Sequence, residues 1–116
     1  MNERFFSLDQ ANRTLPLVRR IVEDLVEEVR DTETDARERA ERVGALVREL
    51  EDLGCLFKGI DEGLVDWYSI FAGRPVLLCW KLGEPEIAWW HQVDAGFRGR
   101  QPILDSQRDA FRSDMA

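Results

Sequence analysis

Apolar residues in the first half of the chain recur three or four positions apart, the spacing of one stripe along a helix. This stripe, called here the helical seam, consists of Leu15, Val18, Val22, Leu25, Val29, Val43, Leu46, Leu50 and Leu53. Ser7, with Gln10 three residues later, is typical of a capping box at a helix start. The pattern predicts helical arms over residues 7–54, with a seam that another helix or a sheet must cover.

The seam is weakest at residues 31–35, where the sequence is Asp-Thr-Glu-Thr-Asp. Thr32 or Thr34 would cap a second helix there and give an antiparallel hairpin. The alternative is a single helix of ~45 residues, roughly 65 Å long, whose stripe only a partner chain would bury. We favour the hairpin, because two residues that commonly begin helices lie where apolar content is lowest.

Three later segments are rich in β-branched and aromatic residues and are separated by turn-forming residues. They are residues 64–71, 76–82 and 87–93. The fold class predicted is therefore α+β: a long N-terminal helical hairpin, or one long helix, packed on a C-terminal three-stranded antiparallel meander. We expect one domain over residues 1–104, made of the arms, a sheet over 64–93 and a Gly/Arg loop over 94–104. Residues 105–116 are expected to form a frayed polar tail.

Two-residue loops at Ala72-Gly73 and Glu84-Pro85 would fix the register of the sheet. Trp80 would then lie opposite Trp89, and Leu78 opposite His91. This register places His91 on the face that packs against the helices. It also leaves Trp90 exposed on the other face, in the row of Asp66 and Cys79. A slip of one residue would exchange the two faces.

Composition narrows the classes of function. The net charge is −7 and no basic stripe is present, which argues against nucleic acid as a partner. No apolar run is long enough to cross a membrane, and the N-terminus does not resemble a signal peptide. Two cysteines are too few for a disulfide framework, and neither zinc-ligand spacing nor a nucleophile elbow occurs. A cytoplasmic protein is predicted, and no cofactor is indicated.

His91 is the only histidine of the chain, so two interpretations compete. It is either a core residue bonded to a backbone or carboxylate partner, or a general acid/base or single metal ligand. Glu84, Glu86 and Asp94 would supply oxygen ligands for Mg²⁺ or Mn²⁺. In the predicted register, however, the turn with the two glutamates lies roughly 13 Å from His91 along the sheet. In that register one chain would not bring the two glutamates and His91 onto the same ion.

The loop Gly-Phe-Arg-Gly-Arg-Gln presents two arginines between glycines. Arg98 and Arg100 would offer fork-shaped donors to a carboxylate or phosphate, with Gln101 beside them. The alternative is a structural loop whose arginines pair with the acidic helices. An exposed Trp90 next to Asp66 would add a contact surface for a ligand or a protein.

Several motifs carry a resemblance to a known family. They are Phe6-Ser7-Leu8-Asp9-Gln10-Ala11-Asn12-x-x-Leu15-Pro16, Gly63-Leu64-Val65-Asp66, Cys79-Trp80-x-Leu82-Gly83-Glu84-Pro85-Glu86-Ile87 and Trp90-His91-x-x-Asp94-x-Gly96-Phe97-x-Gly99-Arg100-Gln101-Pro102-Ile103. Together they resemble the short bacterial proteins grouped as domain of unknown function twenty-two-oh-three. The resemblance spans residues 5–103 and implies no particular activity.

Two hypotheses of function follow from these observations. The first is a non-enzymatic interaction module, homodimeric through the helical seam. The second is a site for an anionic metabolite or a divalent metal, with a catalytic role for His91. The residues assigned to that site are Asp66, Trp90, His91, Arg98, Arg100 and Gln101.

Overall fold

A computed structural model describes residues 4–115 of the chain. Its N-terminal half is the predicted hairpin, with helix α1 at Leu8–Arg30 and helix α2 at Ala36–Asp52. The single long helix is thereby excluded. The capping box at the start of α1 is confirmed: the Ser7 hydroxyl accepts a hydrogen bond from the Gln10 amide, and the Gln10 side chain accepts one from the Ser7 amide. The prediction that Thr32 or Thr34 caps the second helix was wrong.

Aspartates, not threonines, turn the chain between the two helices. The Asp35 carboxylate caps α2 by accepting from the amides of Arg37 and Glu38, at 3.2 and 3.3 Å. The Asp31 carboxylate accepts from the Glu33 amide at 3.0 Å and from the hydroxyl of Thr34. Carboxylates at a helix start also interact favourably with the helix dipole. The two aspartates thus make this turn without glycine or proline.

The sheet has five antiparallel strands in chain order, not the three predicted. They are β1 at Leu56–Gly59, β2 at Leu64–Phe71, β3 at Arg74–Lys81, β4 at Trp89–Gln92 and β5 at Gln101–Pro102. The three predicted strands are the central ones. The two that were missed are the edge strands: β1 lies among Gly54, Gly59 and Gly63, which are typical of a loop, and β5 has only two residues.

The turn between β2 and β3 is the predicted two-residue loop. Ala72 and Gly73 both have positive φ, at 54° and 77°, as a tight hairpin of this twist requires. Consequently Val65 lies opposite Trp80, and Trp67 opposite Leu78. These four side chains are fully buried beneath α1, together with helix residues such as Val18, Val22 and Leu25.

The register of β4 was predicted wrongly by one residue. Cys79 lies opposite Trp89, and Leu77 opposite His91. The connection is not a two-residue turn, because residues 82–88 form a longer loop attached to the core. In this loop Ile87 is fully buried, and its amide donates to the Asn12 side chain of α1 at 2.9 Å.

The slip exchanges the faces of β4, as the period of a strand demands. Trp90 is only 6% exposed and belongs to the hydrophobic core, so the predicted exposed indole is wrong. Trp89 takes the half-buried position on the outer face instead. His91 points away from the helices, on the face that carries Asp66 and Cys79.

The segment after residue 104 is not the frayed tail predicted. It forms a 3₁₀ helix at Asp105–Ala110 and then returns to the sheet, where Arg112 bridges to Ile70 of β2. Phe111 is 2% exposed, and its ring stacks on Phe71 at 4.7 Å and meets Trp90 edge-on at 5.9 Å. The C-terminal segment therefore closes one end of the core.

The helical seam is covered unevenly. On α1 the seam residues Leu15, Val18, Val22 and Leu25 are buried within the chain. On α2 only Leu50 is buried, while Val43 and Leu46 stay partly exposed. No helix of the described residues has the length and apolar character needed to cross a membrane.

Candidate functional site

Three neighbouring strands each contribute one polar side chain to the outer face of the sheet. Asp66 lies in β2, Cys79 directly opposite it in β3, and His91 in β4. All three are buried, at 3%, 1% and 2% exposure. A carboxylate oxygen, the thiol sulfur and an imidazole nitrogen lie within 4.8 Å of one another. We call these residues the three-strand cluster.

The imidazole of His91 is held at both nitrogens. Nδ1 lies 2.7 Å from the backbone carbonyl oxygen of Gln92, and Nε2 lies 3.1 Å from Oδ2 of Asp66. A carbonyl oxygen only accepts, so Nδ1 must carry the hydrogen. Nε2, which faces the carboxylate, is therefore the atom at which a proton is gained or lost.

The hydrogen bond to Asp66 is the main reason that the pKa of His91 is raised above its ordinary value, against the opposing effect of burial. The thiol of Cys79 behaves differently. Burial raises its pKa to about 12, and the nearby Asp66 charge adds to the effect. At neutral pH Cys79 is therefore a neutral thiol and a poor nucleophile.

A recess of about 220 Å³ opens onto the cluster. Besides the three polar residues, its walls are formed by Lys58, Leu64, Leu77, Val93, Gly96 and Phe97. Lys58 comes from β1 and Phe97 from the 3₁₀ turn Phe97–Gly99. The loop after β4 thus covers the outer face, which explains how polar side chains become buried there.

A family model described as "Uncharacterized conserved protein (DUF2203)" matches residues 27–103, more than half of the chain and all three cluster residues. The chain belongs to this family. No curated protein and no solved structure matches the chain.

In this DUF2203 protein, Arg100 holds the covering loop in place. Its guanidinium forms two hydrogen bonds with the Glu84 carboxylate, at 2.6 and 3.1 Å. The same group lies 4.4 Å from the ring centre of Trp89 and 4.5 Å from that of Phe97. Donors that are already bonded and enclosed in this way are not presented to a ligand. One Arg100 nitrogen also approaches the sulfur of Cys79, at 4.0 Å.

The other residues assigned from the sequence do not join the cluster. Arg98 and Gln101 are exposed, and so is Asp94. Glu84 is engaged by Arg100, and Glu86 pairs with Arg108 at 3.4 Å on the surface. Among residues 4–115, Glu84, Glu86 and Asp94 form no group of metal-ligating atoms. Only Asp66 and His91, of the residues assigned from the sequence, meet in one site.

Sequence reasoning missed Cys79, Lys58 and Phe97 as members of the site. Cys79 was not assigned to any site, although the Ala72-Gly73 loop already placed it opposite Asp66. The correct register of β4 would have placed His91 on the same face, in the neighbouring row opposite Leu77. No sequence signal pointed to Lys58, because the glycines around β1 are typical of a loop.

Proposed function

We propose that the protein binds a divalent transition-metal ion, with Zn²⁺ the best fit, through Asp66, Cys79 and His91. The observation that carries the proposal is the convergence of their ligand atoms within 4.8 Å, each from a different strand. Carboxylate, thiolate and imidazole are the three side-chain ligands that Zn²⁺ uses in proteins. Sulfur in the set disfavours Mg²⁺ and Ca²⁺, which prefer oxygen ligands.

The geometry of the ligands supports the same ion. Zn²⁺ bonds of 2.0–2.3 Å in a tetrahedron separate neighbouring ligand atoms by roughly 3.3–3.7 Å. The distance from His91 Nε2 to Asp66 Oδ2 is already 3.1 Å. Moreover, Nδ1 is fixed by the Gln92 carbonyl, the outer hydrogen bond that orients histidines at metal sites. Small side-chain movements therefore suffice to bind the ion.

Rigid placement adds to the argument. The three residues lie on paired strands rather than in flexible loops, so little conformational entropy is lost when they bind. In addition, the Asp66 carboxylate and a metal ion are complementary in charge. A metal would replace the proton shared by Asp66 and His91 and would keep the buried carboxylate compensated.

The experiment is a titration of purified, chelator-treated protein with Co²⁺ and Zn²⁺. A Co²⁺–thiolate bond gives a charge-transfer absorption in the near ultraviolet, so the spectrum reports the sulfur ligand directly. We expect one ion per chain and loss of this band in Cys79→Ala. Cys55→Ala is the matched control, because Cys55 is equally buried but donates its hydrogen to the Leu50 carbonyl, away from the cluster.

Two outcomes would contradict the proposal. One is the absence of stoichiometric binding in the intact protein. The other is an equal loss of the band in both cysteine variants, which would trace it to general destabilisation. His91→Ala and Asp66→Ala should each weaken binding by about 10-fold or more, since each removes one metal ligand.

The homodimer predicted from the helical seam stays a prediction. Its main support is weaker, because the seam on α1 packs within the chain. What still favours it is the partly exposed stripe of Val43, Leu46 and Val47 on α2. Sedimentation of the protein at tens of micromolar separates monomer from dimer.

A further inference from the structure

The three-strand cluster supplies three ligands, and a tetrahedral ion needs a fourth. The remaining walls of the recess are Lys58, Leu64, Leu77, Val93, Gly96 and Phe97. Five of these six have no side-chain donor atom, and a lysine ammonium has no lone pair to give. Among residues 4–115, no side chain that lines the recess is therefore available as the fourth ligand. Three protein ligands with one open position is the arrangement of zinc sites that bind water or substrate.

The charge around that open position favours an anion. A divalent ion with one thiolate and one carboxylate has no net charge. Of the described residues that line the recess, Lys58 then contributes the one remaining formal charge. Its ammonium forms no ion pair with any acidic residue in the described part of the chain. The loaded recess is consequently positive by one charge.

Size and polarity restrict the anion further. The recess measures about 220 Å³, below the range of roughly 300–1,000 Å³ that is usual for drug-sized ligands. Leu64, Leu77 and Phe97 provide apolar walls, and walls of low polarity strengthen attraction between charges. A small oxyanion fits this description, whereas a nucleotide or a peptide does not.

We propose that the metal-loaded site binds a small oxyanion, of the carboxylate or phosphate class, which occupies the open coordination position and pairs with Lys58. This inference rests on the proposed metal site. It assigns a role to Lys58, which sequence and family leave unassigned. It also relocates the anion site predicted from the sequence, from the Arg98/Arg100 loop to the opposite wall of the recess.

The test uses the intact protein loaded with Co²⁺, whose visible bands respond to any change of ligand. Acetate and inorganic phosphate are titrated separately, which distinguishes the two sources of the oxyanion. We expect a saturable change of the visible spectrum with at least one of them. Lys58→Met should weaken the binding of that anion by ~10-fold or more, because one positive charge near the anion is lost. Lys58→Arg keeps the charge and should largely retain the affinity.

Arg74→Met is the control, since it also removes one positive charge but from an exposed position at the start of β3. Co²⁺ bands that neither anion changes would overturn the anion site and leave the metal site standing. Equal affinities in Lys58→Met and Arg74→Met would overturn the pairing with Lys58. A protein without Co²⁺ bands would overturn the inference together with the metal site.

Discussion

The buried pair of Asp66 and His91 makes a quantitative prediction for the metal-free protein. Both residues are nearly inaccessible, at 3% and 2% exposure, and Oδ2 of Asp66 lies 3.1 Å from Nε2 of His91. Removing one partner of a buried pair leaves an uncompensated group and costs about 3–5 kcal/mol. We therefore expect His91→Ala and Asp66→Ala each to lower the free energy of unfolding by about that amount.

The double variant should lose less than the sum of the two single losses, because neither partner is then orphaned. The expected coupling energy is ~1–3 kcal/mol. The assay is urea unfolding in the presence of a chelator, followed by tryptophan fluorescence. Asp9 and Arg13 provide a control cycle: they lie 2.7 Å apart but are 75% and 76% exposed. Their coupling should not exceed about 0.5 kcal/mol.

The same coupling energy should depend on pH with a definite sign. The hydrogen bond to Asp66 raises the pKa of His91 in the folded state. A raised pKa contributes stability that is complete below the unfolded value of ~6.5 and is lost as pH rises through the folded value. The coupling should therefore be larger at pH 6 than at pH 9. Additive losses at both pH values, as in the control pair, would refute the reasoning.

Three further predictions concern the core, the backbone and the metal site. Phe111→Ala should lower the free energy of unfolding, measured in urea, by ~3–5 kcal/mol. Leu104→Ala should lower it by less than ~0.5 kcal/mol, because Leu104 is 54% exposed. Similar losses in the two variants would mean that the C-terminal segment does not pack on the core. Gly63→Ala should lower the melting temperature of the protein more than Gly73→Ala does. Both glycines have positive φ, but only at Gly63 would the new methyl group lie 2.8 Å from Leu82. Equal changes in melting temperature would contradict this crowding at Gly63. Metal binding should release nearly two protons at pH 6, one from the thiol and one from the imidazole, and fewer as pH rises. Calorimetry in buffers of different ionisation enthalpy measures the number of protons released. Binding without proton release would exclude the thiolate as a ligand.

Local patterns predicted the helices from their apolar periodicity and the central strands from their β-branched and aromatic residues. The Ala72-Gly73 loop even gave the correct register between β2 and β3, since a two-residue turn leaves no freedom. The Glu84-Pro85 turn failed because tertiary contacts decide that loop: the burial of Ile87 and its bond to Asn12 lengthen it. No local signal in the sequence encodes such contacts.

Only part of the candidate site could be predicted, because local patterns do not encode tertiary contacts. Asp66 and Cys79 followed from one short turn, and His91 was singled out by its chemistry. Whether His91 joins the other two residues depends on the register of β4 against β3, which tertiary packing of the preceding loop decides. Phe111 illustrates a second limit. A single aromatic residue in a polar segment carries no periodic signal, yet it stacks on Phe71 and closes the core.

The central claim is that sulfur, nitrogen and oxygen from three strands bind one metal ion. X-ray absorption at the zinc edge, on protein loaded with one equivalent of Zn²⁺, tests it most directly. We predict one sulfur neighbour at ~2.3 Å and the remaining nitrogen and oxygen neighbours at ~2.0–2.2 Å. The sulfur should disappear in Cys79→Ala and persist in Cys55→Ala. A coordination shell of oxygen and nitrogen alone in the intact protein would contradict the account.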